Sequence, residues 1–322
     1  MPISRLFRQL DPRLRGGDVG VLAVLFVTAC VAPQAPAPQP SVSTVEAARG
    51  LASPAAQWAD QCTDWDEWDK EAPPFRVHGD TYHVGTCGIS ALLVAGPEGH
   101  VLIDTGTRNG ASVVLRNIRL LGLQEENVAA ILTSHEHFDH VGGAWWVHQN
   151  TGASIHTSPE AAPVIVTGEE GRADPQFGMH GAMHPVPADM VRAISVGTPI
   201  TIAGMTFTPI ATPGHTPGAL SWQWESCEGT DCVSIVYADS LSPVSADAYR
   251  FSDHPDYVAA YRAGLYRLAA LDCDILLTPH PSASRMRDKI AARDWHGAPT
   301  CAAYAAGIAE RLDRRLAEEA AR

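Results

Sequence analysis

The stretch Val128-Ala129-Ala130-Ile131-Leu132-Thr133-Ser134-His135-Glu136-His137-Phe138-Asp139-His140-Val141-Gly142-Gly143 decides the fold. Val128 to Leu132 is an apolar run of strand length, read as a buried strand. It stops at the polar pair Thr133-Ser134. A cluster of three histidines and one aspartate follows at once, and Gly142-Gly143 then opens a helix through Trp145 and Trp146. The cluster therefore lies on a connection between a strand and a helix. Alternating α/β folds place their chemistry on such connections.

Working outward, Tyr82-His83-Val84, Ala91-Leu92-Leu93-Val94 and His100-Val101-Leu102-Ile103-Asp104 read as strands. Gly96-Pro97-Glu98-Gly99 reads as a turn. Residues 111–121 carry helical apolar spacing. Beyond the cluster, residues 168–188 are rich in Gly, Pro, His and Asp without periodicity, which marks a functional or mobile loop. Strands resume at 200–211, 219–225 and 233–238, and 255–271 reads as a helix. Ile275-Leu276-Leu277 is a strand ending at Thr278-Pro279-His280, and an Ala-rich helix runs from about 302 onward.

The donor types point to zinc. Neutral imidazole nitrogen and carboxylate oxygen suit it, and histidine is its commonest ligand. Residues two apart on an extended segment face the same way, so His135 and His137 can grip one metal. A turn then brings Asp139 and His140 to a second. His215, in Thr212-Pro213-Gly214-His215-Thr216-Pro217-Gly218, and His280 both lie just past strand ends. His83, His100, His148, His156, His254 and His296 stand outside any cluster and read as structural.

The chain has 322 residues and a formal charge of -13, with 45% hydrophobic residues. It is long enough for a sizeable core. So acidic a surface repels phosphate backbones, which argues against nucleic acid as a partner. Residues 1–30 read as a signal peptide: Arg5, Arg8, Arg13 and Arg15 precede the short apolar run Val19 to Val27. Val27-Thr28-Ala29-Cys30 resembles a lipobox, which implies lipidation at Cys30 and anchoring to a membrane. The alternative is an ordinary secretory signal cut nearby. Either way a periplasmic or secreted location is expected. Residues 31–55 are Pro-rich and read as a disordered tether, and 56–322 as the folded domain. Without Cys30, six of the seven cysteines remain: Cys62, Cys87, Cys227, Cys232, Cys273 and Cys301. An even count in an exported chain implies three disulfides, with 15 pairings open. None forms a CxxC pair, so a thiolate zinc site is disfavoured.

The run His135-Glu136-His137-Phe138-Asp139-His140 resembles the HxHxDH signature of the metallo-β-lactamase superfamily. The resemblance covers about Trp65 to Cys301. It implies an α/β fold, the four-layer αββα sandwich with metals at one sheet edge. It also implies one zinc on His135, His137 and His215, and another on Asp139, His140 and His280. Asp104 matches the aspartate that supports the metal loop from behind, and Asp239 is assigned to the same supporting shell. Within the superfamily the chain is similar to class B β-lactamases of the third subclass. The other two subclasses carry a cysteine ligand where this chain reads Tyr237-Ala238-Asp239-Ser240-Leu241-Ser242. Pro74-Phe75, Gly79-Asp80-Thr81-Tyr82, Val84-Gly85-Thr86 and Leu277-Thr278-Pro279-His280-Pro281 resemble that subclass too. So do the pairs Cys273–Cys301 and Cys227–Cys232, with Cys62–Cys87 expected as the third. The implied chemistry is opening of the β-lactam ring of antibiotics, conferring resistance. Two metals acidify a shared water whose hydroxide attacks the lactam carbonyl. Asp139 and His215 are the expected catalytic residues, and Ser240 and Ser242 hold the substrate carboxylate. A monomer acting on a small molecule is expected.

Two rival readings remain open. One is a lactonase or thioester hydrolase on the same scaffold, where an aspartate near the position of Asp239 bridges the metals. The other is a metal-binding lipoprotein without turnover. No SxxK motif stands near a plausible nucleophile, which argues against a serine β-lactamase. Met179, His180 and His184 depart from the family pattern, in a loop expected to overhang the site.

Overall fold

Alternation along the strands dictates the layering. In β3 (Leu92–Gly96) and β4 (Gly99–Ile103), Leu92, Val94, Val101 and Ile103 face one way, and Leu93 and Leu102 face the other. In β11 (Asp231–Tyr237) and β12 (Ile275–Leu277) the first set is Ile235, Tyr237, Ile275 and Leu277, and the second is Val236 and Leu276. Each strand is thus apolar on both sides, as a doubly covered sheet requires. The first sets of the two sheets pack against each other around Trp222. Leu93, Leu102 and Ile131 instead meet the helices Gly110–Leu120 and Ala144–Thr151. Val236 and Leu276 meet the helices Pro255–Ala269 and Cys301–Ala320. The result is the four-layer αββα sandwich. Each fully buried leucine in it stabilises the fold by about 1.5 to 3 kcal/mol.

The computed structural model describes residues 53–321. The signal-like segment, Cys30 and nearly all of the Pro-rich stretch lie outside them. One sheet runs β1 (Phe75–His78), β2 (Thr81–His83), β3, β4, β5 (Val128–Leu132), β6 (Ser154–Thr157) and β7 (Val191–Ala193) in order. It is antiparallel up to β4 and parallel from β4 to β7. The other sheet runs β12, β11, β10 (Leu220–Glu228), β9 (Met205–Ala211) and β8 (Ile200–Ile202).

Several elements differ from the sequence expectation. The single strand expected over 200–211 is a hairpin. Ala203 and Gly204 both take positive φ, 51° and 79°, the backbone of a two-residue turn that suits strand twist. A helix at Pro54–Gln61 begins inside the stretch read as tether. Ser53 Oγ accepts from Ala56 N at 3.2 Å, and proline is at home in a helix's first turn, so composition hid it. The strands β1, β6 and β7 and the helix Met286–Ala292 had no sequence assignment. His83 is fully buried and stacks on Phe75 at 5.0 Å, a core position.

Three disulfides close the described chain: Cys62–Cys87, Cys227–Cys232 and Cys273–Cys301. The first and last flank the His280 loop. Ser90 N, three residues past Cys87, donates to Pro279 O at 2.7 Å.

Candidate metal centre

Five strands deliver the site, each from its carboxyl end. β4 leads to Asp104, β5 to His135, β9 to His215, β11 to Asp239 and β12 to His280. Open α/β sheets place ligands at that edge. His137 is extended (φ -81°, ψ 153°), and a short helical turn, Phe138–Val141, follows it. That turn swings Asp139 and His140 off the face used by His135 and His137.

The rings of His135, His137 and His215 form a near-equilateral triangle. Their centroids lie 4.9, 4.8 and 4.9 Å apart, with planes close to perpendicular. His140 adjoins His135 at 4.3 Å, and His280 adjoins His140 at 5.2 Å. Asp139 Oδ2 lies 2.9 Å from His140 Nε2 and 3.5 Å from His280 Nε2. Five of the six residues expected as ligands gather their donor atoms in two groups that share His135, one of His135, His137 and His215 and one of His135, Asp139 and His140, while His280 joins neither group and lies 3.5 Å from Asp139 Oδ2.

Neighbours fix which nitrogen each ring offers. His135 Nδ1 lies 2.7 Å from Asp239 Oδ1. Its Nε2 is buried with no hydrogen-bond partner. His137 Nε2 lies 2.8 Å from Asp174 Oδ2, leaving Nδ1. His215 Nδ1 donates to the carbonyl of Ser242 at 3.0 Å, so Nε2 keeps the lone pair, with Gln176 Nε2 3.4 Å from it. Such outer bonds orient ligand rings and raise their basicity. A fully buried imidazole nitrogen without a partner is costly, and a metal ion would satisfy it. The donor set fits zinc.

The electrostatics agree for three of the rings, whereas for His140 the neighbouring Asp139 and then Asp104 outweigh burial and raise it. Burial, then the neighbouring His140, His215 and His137, pushes His135 well below its ordinary value. Burial and His137 bring His215 down to about 3. Burial and His140 bring His280 down to about 4. These rings are therefore neutral and able to donate lone pairs. Burial alone would raise Asp139, but the charge of His140 and its hydrogen bond outweigh that and hold the carboxyl ionised.

Asp104 braces the loop. Its Oδ1 accepts from Ser134 N at 2.7 Å, and its Oδ2 accepts from Ser134 Oγ at 2.6 Å and Tyr237 OH at 2.9 Å. It does so from a left-handed backbone, φ 59°, a strain that these bonds sustain. Gly214 is required for a different reason. At φ 154°, a Cβ there would lie 2.3 Å from the Tyr261 ring.

Two residues escaped sequence reasoning. Glu136 points away from the metals, and its carboxylate accepts from Thr216 Oγ1 at 2.7 Å and Gly218 N at 3.1 Å. It ties the His135 loop to the His215 loop. The signal was present, since a residue between two same-facing histidines faces the other way. Asp174 lies in the irregular 168–188 stretch, and no sequence spacing links it to His137.

The centre opens into a cavity of about 390 Å³. Trp65 and Trp68 stand at its mouth, 67% and 41% exposed. Gln176, Met179 and His180 come from the overhanging loop, whereas His184 does not line the cavity and stacks on Trp145 at 4.7 Å. Ser240 and Ser242 both line the cavity, but not as alternate residues of an extended segment. The strand ends at Tyr237, and Leu241 is left-handed, φ 52°. A turn, not strand alternation, presents both. Asp239 is fully buried behind His135 and outside both donor groups.

Residues 84–228 match the sequence profile of the metallo-β-lactamase superfamily. The fold aligns with the metallo-β-lactamase MIM-2 at TM-score 0.77 and 52% identity, covering 82% of this chain and 98% of that one. The chain belongs to the metallo-β-lactamase superfamily. A subclass B3 enzyme from a soil metagenome library, MEM-A1, aligns at TM-score 0.75 and 37% identity, covering 79% and 99%. Among curated proteins, the "Probable metallo-hydrolase YflN" of Bacillus subtilis (strain 168) is 25% identical over 221 residues, 63% of this chain and 83% of its own length. Superfamily membership at this similarity makes the chain a hydrolase of the B3 type. A metal-binding protein without turnover is set aside.

Proposed function

We propose that the chain holds two zinc ions and opens the β-lactam ring of antibiotics. The observation that carries this is the pair of adjoining donor groups facing a cavity that also contains Ser240 and Ser242. His135, His137 and His215 would hold one ion, and Asp139, His140 and His280 the other. Bound zinc would supply a Lewis acid for the carbonyl and water acidic enough to react near neutral pH.

The chain's own side chains do the rest. Asp139 stays ionised, so a carboxylate oxygen can accept a hydrogen bond from the attacking water and orient it. The Ser242 carbonyl holds His215 in the tautomer whose Nε2 keeps a lone pair, and Gln176 Nε2 lies 3.4 Å from that nitrogen. The Ser240 hydroxyl is buried without a partner. A substrate carboxylate would give it one, and charge-assisted bonds are the stronger kind. Trp65 and Trp68 would shield the bound ring from water at the mouth. The support against a lactone reading is the position of Asp239, whose carboxylate is engaged by His135 Nδ1 rather than set between the metal groups.

The double change Ser240→Ala, Ser242→Ala tests the carboxylate contact. KM for a cephalosporin should rise about tenfold to a hundredfold, with zinc content unchanged. An unaltered KM would remove this contact from the account. The proposal also includes export, with anchoring through a lipidated Cys30.

A further inference from the structure

The cavity is ringed by aromatic, polar and histidine side chains, yet among the described residues only one Lys or Arg lines it: Arg311. Arg311 lies on the helix Cys301–Ala320, seven residues after Tyr304. Two helical turns bring both to one face. That face lies on the serine segment. Tyr304 OH donates to Asp239 O at 3.0 Å and to Ser240 O at 2.7 Å.

Arg311 is also free to act. Among the described residues, none forms an ion pair or hydrogen bond with it. Its neighbours are committed: Arg262 pairs with Asp313 at 2.6 Å, and Arg315 pairs with Glu319 at 2.7 Å. Of the two carboxylates lining the cavity, Asp66 is bound to Lys70 at 2.8 Å and Asp139 to the histidines. Arg311 is thus an exposed, unpaired guanidinium on the wall that holds a buried, unpartnered Ser240 hydroxyl. The rest of the molecule works against an anion, since the chain carries -13. A planar fork of donors is suited to a carboxylate.

We propose that Arg311 recognises the carboxylate of the substrate, receiving it at the mouth and holding it against Ser240 and Ser242. The inference rests on the β-lactam reading and adds a specificity-determining residue to it. The cation comes from the C-terminal helix rather than from a metal-bearing loop. Substrates that carry a carboxylate beside the scissile ring gain from it, and neutral analogues do not.

The experiment compares the zinc-loaded wild type with Arg311→Ala, Arg311→Lys and Arg311→Glu. The substrates are one cephalosporin and its neutral methyl ester, at low and high salt. For the acid, KM should rise about threefold to tenfold in Arg311→Ala and further in Arg311→Glu, with kcat within about twofold. Arg311→Lys should recover most of the loss. The ester should show no difference among the four proteins. Added salt should raise KM of the wild type and not of Arg311→Ala. Arg311 is exposed, so the melting temperature should stay within about 2 °C. Turnover of the acid with an unchanged KM in Arg311→Ala overturns this inference alone. So does an equal loss for acid and ester. A wild type that opens neither compound overturns the β-lactam reading, and this inference with it.

Discussion

Asp174 shows most clearly what a single side chain does here. Its carboxylate meets His137 Nε2 at 2.8 Å and caps its own loop by accepting from Gln176 N at 2.7 Å. It therefore selects the His137 tautomer that leaves Nδ1 for metal. Removing an outer partner of this kind weakens metal binding about tenfold to a hundredfold. Asp174→Ala should lose one zinc to a competing chelator at a concentration that leaves the wild type loaded. Asp174→Asn should fall between, because an amide oxygen still accepts from the imidazole. Metal retention equal to wild type in Asp174→Ala would show that His137 is oriented by other contacts. At this scale the sequence was partly legible. His135, His137, Asp139 and His140 stand in six residues, and their donor chemistry is plain from their names. Asp174 was opaque, because it reaches His137 across 37 residues through a loop with no periodicity. Glu136 was legible in direction and unread in purpose, since its partners Thr216 and Gly218 are about 80 positions away.

Among elements, the strands buried on both faces were the most readable. Val128–Leu132 and Ile275–Leu277 are continuous apolar runs, and both appear as strands with those bounds. Short edge strands were read poorly. Val191–Ala193 exposes much of its length, so no apolar pattern marks it, and Ile200–Ile202 was read only as part of one longer strand. The Ala203–Gly204 turn was missed because an alanine with positive φ gives no sequence signal. The element with the clearest mechanical role is the clip Cys273–Cys301, which closes a 28-residue separation containing His280. Closing a loop of that length contributes about 3 to 4 kcal/mol by restricting the unfolded chain. Replacing both cysteines by serine should lower the unfolding free energy by roughly that amount. It should also loosen the zinc group that includes His280 more than the triad of His135, His137 and His215. Equal loss of both zinc ions in a metal titration would show that the clip acts on the whole fold and not on the His280 loop.

For the whole molecule, the physical logic is a rigid two-sheet core with chemistry at one edge. The two sheets hold the ends of β4, β5, β9, β11 and β12 in place, so five separate loops can meet within a few ångströms. The hydrophobic layers are legible from alternation. The meeting of the loops is not, since it depends on how the sheets pack, and here the family resemblance supplied what periodicity could not. The acidic surface sets the solution behaviour, and a lone Arg311 marks the wall where an anion would dock. The export proposal is tested at this scale too. Expressed full-length, the protein should partition with membranes and carry an acyl mass on Cys30, and Cys30→Ser should release it. A soluble mature chain beginning well beyond Cys30 would contradict anchoring.

The two donor groups are proposed to work together as a zinc centre for β-lactam hydrolysis. The most direct measurement follows ring opening of a penicillin, a cephalosporin and a carbapenem by the zinc-loaded protein. An acyl-homoserine lactone serves as the rival substrate, and bound metal is counted in the same samples. About two zinc ions per chain are expected. Turnover of at least one β-lactam well above that of the lactone, loss of activity on chelation, and recovery when zinc is restored are expected too. A metal count near zero after zinc loading would contradict a two-zinc centre for β-lactam hydrolysis. So would a fully loaded enzyme that opens the lactone and leaves all three β-lactams intact.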